Sequence, residues 1–578
     1  MRRASQVSCL LLLTGTLVFA AGANVYVQHN LVSDTPGTAD VTDLNLVNPW
    51  GISESAGSPF WISDNGTGKS TLYNGSGAAI ALVVTIPSVA GASGTGNPTG
   101  QVQNNTTGFL LANAKPASFI FDSEDGTITA WNGGTTASVM VTTTGAVYKG
   151  LAIGSNATGP HLYAANFRAN KIDVFDGTFA PATVSGGFVD ASVPANFAPF
   201  NIWALGGKLY VTYAMPDNAL HNDVAGPGNG YVAVFDFDGN LIKHLVSNGP
   251  LNSPWGLAIA PATFGAFGGD LLVGNFGDGK INAFDPASGA LLGTLQDANG
   301  NPIVIGGLWA LIFGNGATGG DKNTLYFTAG PGGGAHGLFG SLAPPSTILG
   351  VQNGASQLSG SIAPGEVVVL TGLTIGPSPT ASATIPATGK VSASLGGASV
   401  TFNGWPAPIL YTSASQTSVI VPYELGGFFS ADVVVKYRGQ TATLTVPVNY
   451  SAPGIFTLDF TGSGQAVALN ADDTINGTTN PATAGTAITF FATGEGPTYP
   501  PGEDGVVNDR ILRTPQLPVS LTIGGQPARV FYAGTAIGSV QGVMQVEALI
   551  PSGVTGAVPV VLTVGAASSQ TTATISVK

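Results

Sequence analysis

The sequence predicts an all-β fold: a six-bladed β-propeller followed by two immunoglobulin-like β-sandwiches. One short pattern recurs, as FWISDNGTGK (60–69), LYAANFRANK (162–171) and LLVGNFGDGK (271–280). Each copy is a β-rich run, a tight polar turn closed by lysine, and another strand. Composition agrees: only 8% of the 578 residues are charged, while glycine (83) and proline (38) are abundant. Val, Thr, Ile and Ser make up the balance, which suits strands and turns rather than amphipathic helices. A β-unit that recurs with no helix between copies cannot bury its apolar face alone, so it must stack on its neighbours.

The first 23 residues read as a targeting signal. Arg2 and Arg3 form the charged start, Leu10 to Ala21 the apolar middle, and Ala21-Gly22-Ala23 a small-residue cleavage site. The apolar run is short for a bilayer span, and no later stretch stays apolar for about 18 residues. The only cysteine, Cys9, lies inside this segment, so the processed chain is expected to carry no disulfide and no thiol chemistry. The expected location is extracellular: secreted, at the cell surface or in a periplasm. A net charge of −13 and the lack of a basic patch exclude a nucleic-acid partner.

Residues 24–342 align as six copies of one unit. Their second strands are FWISD (60–64), SFIFD (118–122), LYAAN (162–166), LYVTY (209–213), LLVGN (271–275) and LYFTA (325–329). The strand ends lie 58, 44, 47, 62 and 54 residues apart, which suits four short strands per blade. An innermost strand precedes most copies, often marked by an aromatic or glycine step: Trp50-Gly51, Lys149-Gly150, Trp255-Gly256, Gly307-Leu308-Trp309. The last copy is one strand short, and 25–32 is an orphan strand. It is expected to complete the sixth blade and so close the ring.

Residues 343–350 read as a linker. Two segments of about 100 residues follow, expected as sandwiches at 351–450 and 451–578. They parallel each other: GWPAPILYTSASQTSVIVP (404–422) with GQPARVFYAG and QGVMQVEALIP (525–551), and PGEVVVLTG (364–372) with AGTAITFFATGEG (484–496).

Two resemblances follow from particular residues. Asn48-Pro-Trp-Gly-Ile52, Trp61-Ile-Ser-Asp-Asn-Gly-Thr67, Phe119-Ile-Phe-Asp-Ser-Glu-Asp-Gly126 and Ser253-Pro-Trp-Gly-Leu257 resemble an uncharacterised family of bacterial secreted six-bladed propellers, distantly akin to NHL-repeat proteins. That resemblance implies a fold and no reaction. Val351-Gln-Asn-Gly-Ala-Ser356, Ala363-Pro-Gly-Glu366, Pro453-Gly-Ile-Phe-Thr457, Ala492-Thr-Gly-Glu-Gly-Pro497 and Gln545-Val-Glu547 resemble the C-terminal domain shared by secreted proteins of Solibacter-type acidobacteria. Glu495 departs from that pattern, where an apolar residue is expected. This resemblance implies an accessory or surface-association module.

The repeat register proposes one site. The second-strand ends Asp64, Asp122, Asn166 and Asn275, with Tyr213 and Ala329 interrupting the series, would face an axial funnel and offer hard oxygen ligands to Ca²⁺ or Mg²⁺. The competing reading is that strand-end Asp and Asn bond to their own turns. Two loops on the same face add candidates: Asp217, His221 and Asp223 in the long insertion of the fourth copy, and His336 after the glycine run of the sixth. His221 and His336 would meet across the axis as ligands or general base, or else lie exposed in loops. Glu124-Asp125-Gly126 reads as a hairpin turn. His29 and His244 fall on strands where surface positions are the ordinary expectation. Trp50, Trp203, Trp255 and Trp309 are expected to fill space between blades. No catalytic motif is present: there is no Gly-x-Ser-x-Gly elbow and no His-Glu-x-x-His. The expected function is therefore a non-catalytic binding or structural protein that presents the propeller face to an extracellular protein or polysaccharide, with no cofactor unless Ca²⁺. The alternative is a metal-dependent hydrolase, lactonase or lyase working in the funnel.

Overall fold

The computed structural model describes residues 24–89, 94–377, 380–386, 389–507 and 511–578. The targeting segment expected at 1–23, with Cys9, lies outside them. The described residues are all-β apart from two short 3₁₀ turns, Gly265–Phe267 and Tyr423–Leu425. No helix among them is long and apolar enough to cross a membrane. They divide into two compact units, one ending at Pro344 and the other beginning at Pro345.

The first unit contains six sheets among the described residues, antiparallel but for one short parallel pairing of Val32 and Ser33 with Val41–Thr42. Five are meanders of four strands, beginning at Pro49–Ser53, Pro98–Gln103, Tyr148–Asn156, Ala198–Leu205 and Pro254–Ile259. The strands aligned from the sequence are the second strand of each sheet, as in Phe60–Asp64, Phe119–Ser123 and Leu271–Asn275. The sixth sheet takes Leu308–Phe313, Leu325–Ala329 and Leu338–Ala343 from the end of the unit and completes itself with Val27–Ser33 from its start. Val27 pairs with Ala343 and Ser33 with Leu338, antiparallel, around one irregularity between Asn30 and Val32. This is the ladder expected of the orphan strand.

Each first strand packs against the first strand of the next sheet, and Leu308–Phe313 packs back against Pro49–Ser53. The circuit is closed and the arrangement is propeller-like. The glycines of the inner strands explain how the strands come so close. A Cβ on Gly51 would stand 2.4 Å from the Thr99 carbonyl, one on Gly100 2.3 Å from the Leu151 nitrogen, and one on Gly256 2.5 Å from the Trp309 carbonyl. Backbone occupies the place of a side chain. Hydrogen bonds then stitch neighbouring sheets. Gln101 Nε2 donates to the Gly51 carbonyl (2.8 Å), Thr99 Oγ1 to that of Tyr148 (3.0 Å), and Asn201 Nδ2 to that of Trp255 (2.7 Å). Apolar residues between sheets, such as Phe121, Ile202, Leu272 and Phe327, are fully buried.

Among the described residues the second unit holds two large hydrophobic cores, one built from Ile348 to Val448 and the other from Ile455 to Val577, and a smaller cluster of Val367, Val391, Ile420, Val507 and Val540. Around the first lie a five-stranded sheet containing Thr347–Asn353, Val367–Leu373 and Gln416–Ile420, and a sheet containing Ala398–Phe402, Ser430–Tyr437 and Gln440–Pro447. Ser430–Tyr437 alternates exposed and buried residues, as a strand with one wet face must. The second core is wrapped by one continuous path of strands from Gly454–Ile455 to Ala573–Val577 and Gly464–Gln465. Glu366, of the Ala363-Pro-Gly-Glu motif, has a structural role beside the first core, just before Val367–Leu373. Its carboxylate accepts from the Ala363 N–H (2.7 Å) and from Asn353 Nδ2 (2.8 Å), while burial pushes its pKa up to about 8. Glu495 is buried where an apolar residue was expected, and it accepts a hydrogen bond from the Tyr423 hydroxyl at 3.4 Å.

Candidate functional site

Of the strand-end residues, Asn166, Asn275 and Asp122 make hydrogen bonds close by, whereas both carboxylate oxygens of Asp64, Asp122 Oδ2 and Asn275 Oδ1 are buried without hydrogen-bond partners. Asn166 donates to Asp173 Oδ2 (2.8 Å) and accepts from the Ala169 N–H (3.2 Å). Asn275 donates to the Pro250 carbonyl (2.8 Å) and to Asp278 (3.0 Å). Asp122 accepts from Thr99 Oγ1 (2.8 Å), and burial pushes its pKa up to about 7. Asp64 is fully buried, and burial holds its pKa well above the usual range although Thr71 and Lys69 pull the other way. No hydrogen bond joins any two of the four. Among the described residues no group of three or more His, Cys, Asp or Glu is placed to hold a metal ion; of the proposed two Asp and two Asn, oxygens of Asp64, Asp122 and Asn275 are left without partners. Asn166 and Asn275 bond to their own turns, as strand-end amides do, while Asp122 bonds Thr99 of the inner strand beside it.

The two loop histidines are apart. His336 Nδ1 contacts Asp34 Oδ2 (3.0 Å) and Thr35 Oγ1 (3.2 Å), against the closing strand. Asp217 caps its own loop, accepting from the His221 N–H (2.9 Å) and from Asn222 Nδ2 (3.3 Å); these bonds hold its pKa below the ordinary range. His221 and Asp223 do reach the axis, where they meet residues that the sequence reading had assigned to structure.

Three inner-strand tryptophans close the axis. Trp50 and Trp309 stack with ring centroids 3.6 Å apart, and Trp255 stands edge-on to both at 6.4 and 5.9 Å. All three are at most 4% exposed. Trp203 does not join them; it is half-buried against a separate core. A chain of polar side chains runs around this plug from sheet to sheet. Trp309 Nε1 donates to Asn48 Oδ1 (3.0 Å), Asn48 Nδ2 to Asn65 Oδ1 (3.1 Å), and Asn65 Nδ2 to Glu124 Oε2 (3.1 Å). Glu124 Oε1 accepts from Lys149 Nζ. His221 Nδ1 lies 3.9 Å from the same oxygen. Asn48 can reach Trp309 because residue 330 is glycine: a Cβ there would stand 2.1 Å from Asn48 Oδ1.

Lys149 is only 2% exposed, and its ammonium lies 4.9 Å from the Trp50 ring centroid. Burial alone would expel such a charge; the Glu124 carboxylate and the aromatic face retain it. Beside it Trp50 Nε1 is buried without a hydrogen-bond partner, and the buried Asp223 carboxyl and Ser253 hydroxyl lie close to each other. Burial raises the Asp223 pKa, opposed by nearby Ser253 and Lys149. The mouth therefore combines a buried cation, a carboxylate, a carboxyl displaced toward its neutral form and unfilled polar groups, with Asp223 supplied by the long insertion before Tyr231–Phe235. Such a set can bind a polar group through several directed hydrogen bonds. Sequence reasoning missed Glu124 and Lys149. The signal for Lys149 was a lysine in an inner-strand position where other copies carry tryptophan.

No family model matches the chain. Relatives from Acanthamoeba polyphaga mimivirus do, among them two that align over 333 residues. Uncharacterized protein R648 is 34% identical over 333 residues, covering 55% of this chain and 80% of that protein. Uncharacterized protein L690 is 33% identical over 333 residues, covering 55% of this chain and 86% of that protein. Among solved structures the chain is similar to a streptogramin B lyase (12% identity, 55% of this chain and 96% of that one, TM-score 0.33). It is also similar to a protein of unknown function from Bacteroides thetaiotaomicron (11% identity, 55% and 76%, TM-score 0.35). On the breadth of the match to R648, the chain belongs to the family of these uncharacterised mimivirus proteins.

Proposed function

We propose that the chain is an exported binding protein: a six-bladed β-propeller whose axial mouth engages a polar group of an extracellular polysaccharide or protein, followed by two immunoglobulin-like sandwiches that act as spacer or attachment module. One observation carries the reading. Asn48, Asn65, Glu124 and Lys149, contributed by three successive sheets, are held in one hydrogen-bonded chain beside polar groups left unfilled. Preorganised and partly unsatisfied polar groups over an aromatic floor suit recognition of hydroxyl or amide groups. The terminal Arg2-Arg3 and Leu10–Ala21 pattern supports export. The resemblance of 349–578 to the tail of Solibacter-type secreted proteins supports the attachment role.

Retention of the purified chain on immobilised cell-wall and polysaccharide fractions tests the reading. Glu124→Gln and Lys149→Met should each weaken retention about tenfold or more, the effect of one buried charged hydrogen bond. Equal retention of the variants and the parent, each shown folded by circular dichroism, would remove the axial mouth as the binding site.

A further inference from the structure

We propose that Asp190, His244 and Ser247 form a catalytic site for cleaving carboxylic esters, separate from the axial mouth and independent of its reading. His244 Nδ1 lies 2.6 Å from Asp190 Oδ2, and His244 Nε2 lies 2.6 Å from Ser247 Oγ. An ionised carboxylate only accepts, so the Nδ1 proton is directed at Asp190. Nε2 is left as the acceptor for the serine hydroxyl. This is the arrangement by which a neutral imidazole activates a serine.

The local structure fixes each member. Asp190 lies in the segment before Ala198–Leu205, where its Oδ1 accepts from the Ser192 N–H (2.9 Å) and its carbonyl from the Val193 N–H (3.2 Å). Its side chain is 1% exposed and that of His244 21%, whereas Ser247 is exposed at its strand end. His244 and Ser247 share the outer strand Leu241–Ser247. Three residues apart, they would point to opposite faces of a regular strand. Val246 pairs with Val232 and His244 with Ala233, which leaves Leu245 as an extra, bulged residue. The bulge returns both side chains to one face. Tethering the 183–197 segment needs only the His244–Asp190 contact. The added contact to an exposed serine is what a nucleophile requires and a tether does not.

The reaction balances with water as the only co-reactant. Ser247 Oγ adds to the ester carbonyl while His244 Nε2 takes its proton. The bond to the alcohol oxygen breaks as His244 returns that proton to the leaving group. Water then attacks the acyl-serine, His244 again taking and returning a proton, and the acid leaves with Ser247 restored. Asp190, its side chain 1% exposed, holds the ring and stabilises the imidazolium formed in each half.

The test uses the full chain with a fluorophosphonate probe and with p-nitrophenyl acetate. Mass spectrometry should place the probe on Ser247. Hydrolysis should fall by about 100-fold or more in Ser247→Ala, with the thermal midpoint unchanged. His244→Gln should abolish both labelling and the rise of rate with pH that deprotonation of the base produces. An unlabelled Ser247, or hydrolysis unaltered in Ser247→Ala, would overturn the proposal.

Discussion

Replacing Lys149 by methionine removes the charge of the axial mouth while keeping the aliphatic stem that packs beside Trp50. Lys149 is 2% exposed and the Glu124 side chain 15%, so the pair is largely desolvated. Removing one partner of a buried pair costs about 3–5 kcal/mol. Glu124 keeps Asn65 and some solvent, which places the loss near the lower end, about 3 kcal/mol. The lost contact with the Trp50 face adds about 1 kcal/mol. Glu124→Gln should cost about 2 kcal/mol, because the new amide cannot accept from both Lys149 and Asn65. The double variant should recover part of the sum, with a coupling of about 2 kcal/mol in the cycle. Urea unfolding followed by tryptophan emission is a suitable assay. Of the seven tryptophans, only Trp405 lies outside the first unit, so the signal reports that unit. Single-variant losses under about 1 kcal/mol, or strictly additive losses, would refute the reasoning that the pair is desolvated and mutually dependent.

Gly100→Ala should destabilise the first unit by about 3 kcal/mol in the same assay, since its Cβ would meet the Leu151 backbone nitrogen at 2.3 Å. Gly57→Ala, with nothing within 4 Å, should be neutral or gain a few tenths of a kcal/mol. Stability should fall as pH rises from about 5 to 8. Burial pushes Glu54 up to about 8 and Asp122 up to about 7, so the folded chain binds more protons than the unfolded one across that window. Their contribution is whole below the unfolded values and gone above the folded ones. Glu54→Gln should therefore flatten the melting temperature against pH and raise it at pH 9, while an unchanged slope would exclude Glu54 as its source.

The sheets were legible because a β-strand announces itself within five residues, and the repeat then multiplies the signal. The second strands and the closing pair of Val27–Ser33 with Leu338–Ala343 follow from that alone. The aromatic and glycine steps correctly marked inner strands, although the reason, backbone filling the place of a Cβ at Gly51 and Gly256, appears only in three dimensions. The site was harder to read. Sequence alignment set Asp64, Asp122, Asn166 and Asn275 at one position, but only Asp64, Asn166 and Asn275 lie opposite the first residue of their inner strands; in the second sheet Ser123 holds that place, one residue past Asp122. Glu124 looks like any hairpin carboxylate until Lys149 of the next sheet is seen bonded to it. His244 looks like a surface residue until a bulge and a loop 54 residues away supply Ser247 and Asp190 on either side. Local pattern carries the backbone, whereas the chemistry lies in contacts between sheets.

The account rests on the first unit being a closed ring, since the axial mouth exists only if the sixth sheet meets the first. Hydrogen exchange of the native chain tests this directly. The amides of Val27–Ser33 that pair with Leu338–Ala343 should exchange as slowly as those of the partner strand and share its opening free energy. Exchange of Val27–Ser33 at loop rates, with Leu338–Ala343 still protected, would contradict closure and with it the site built on the axis.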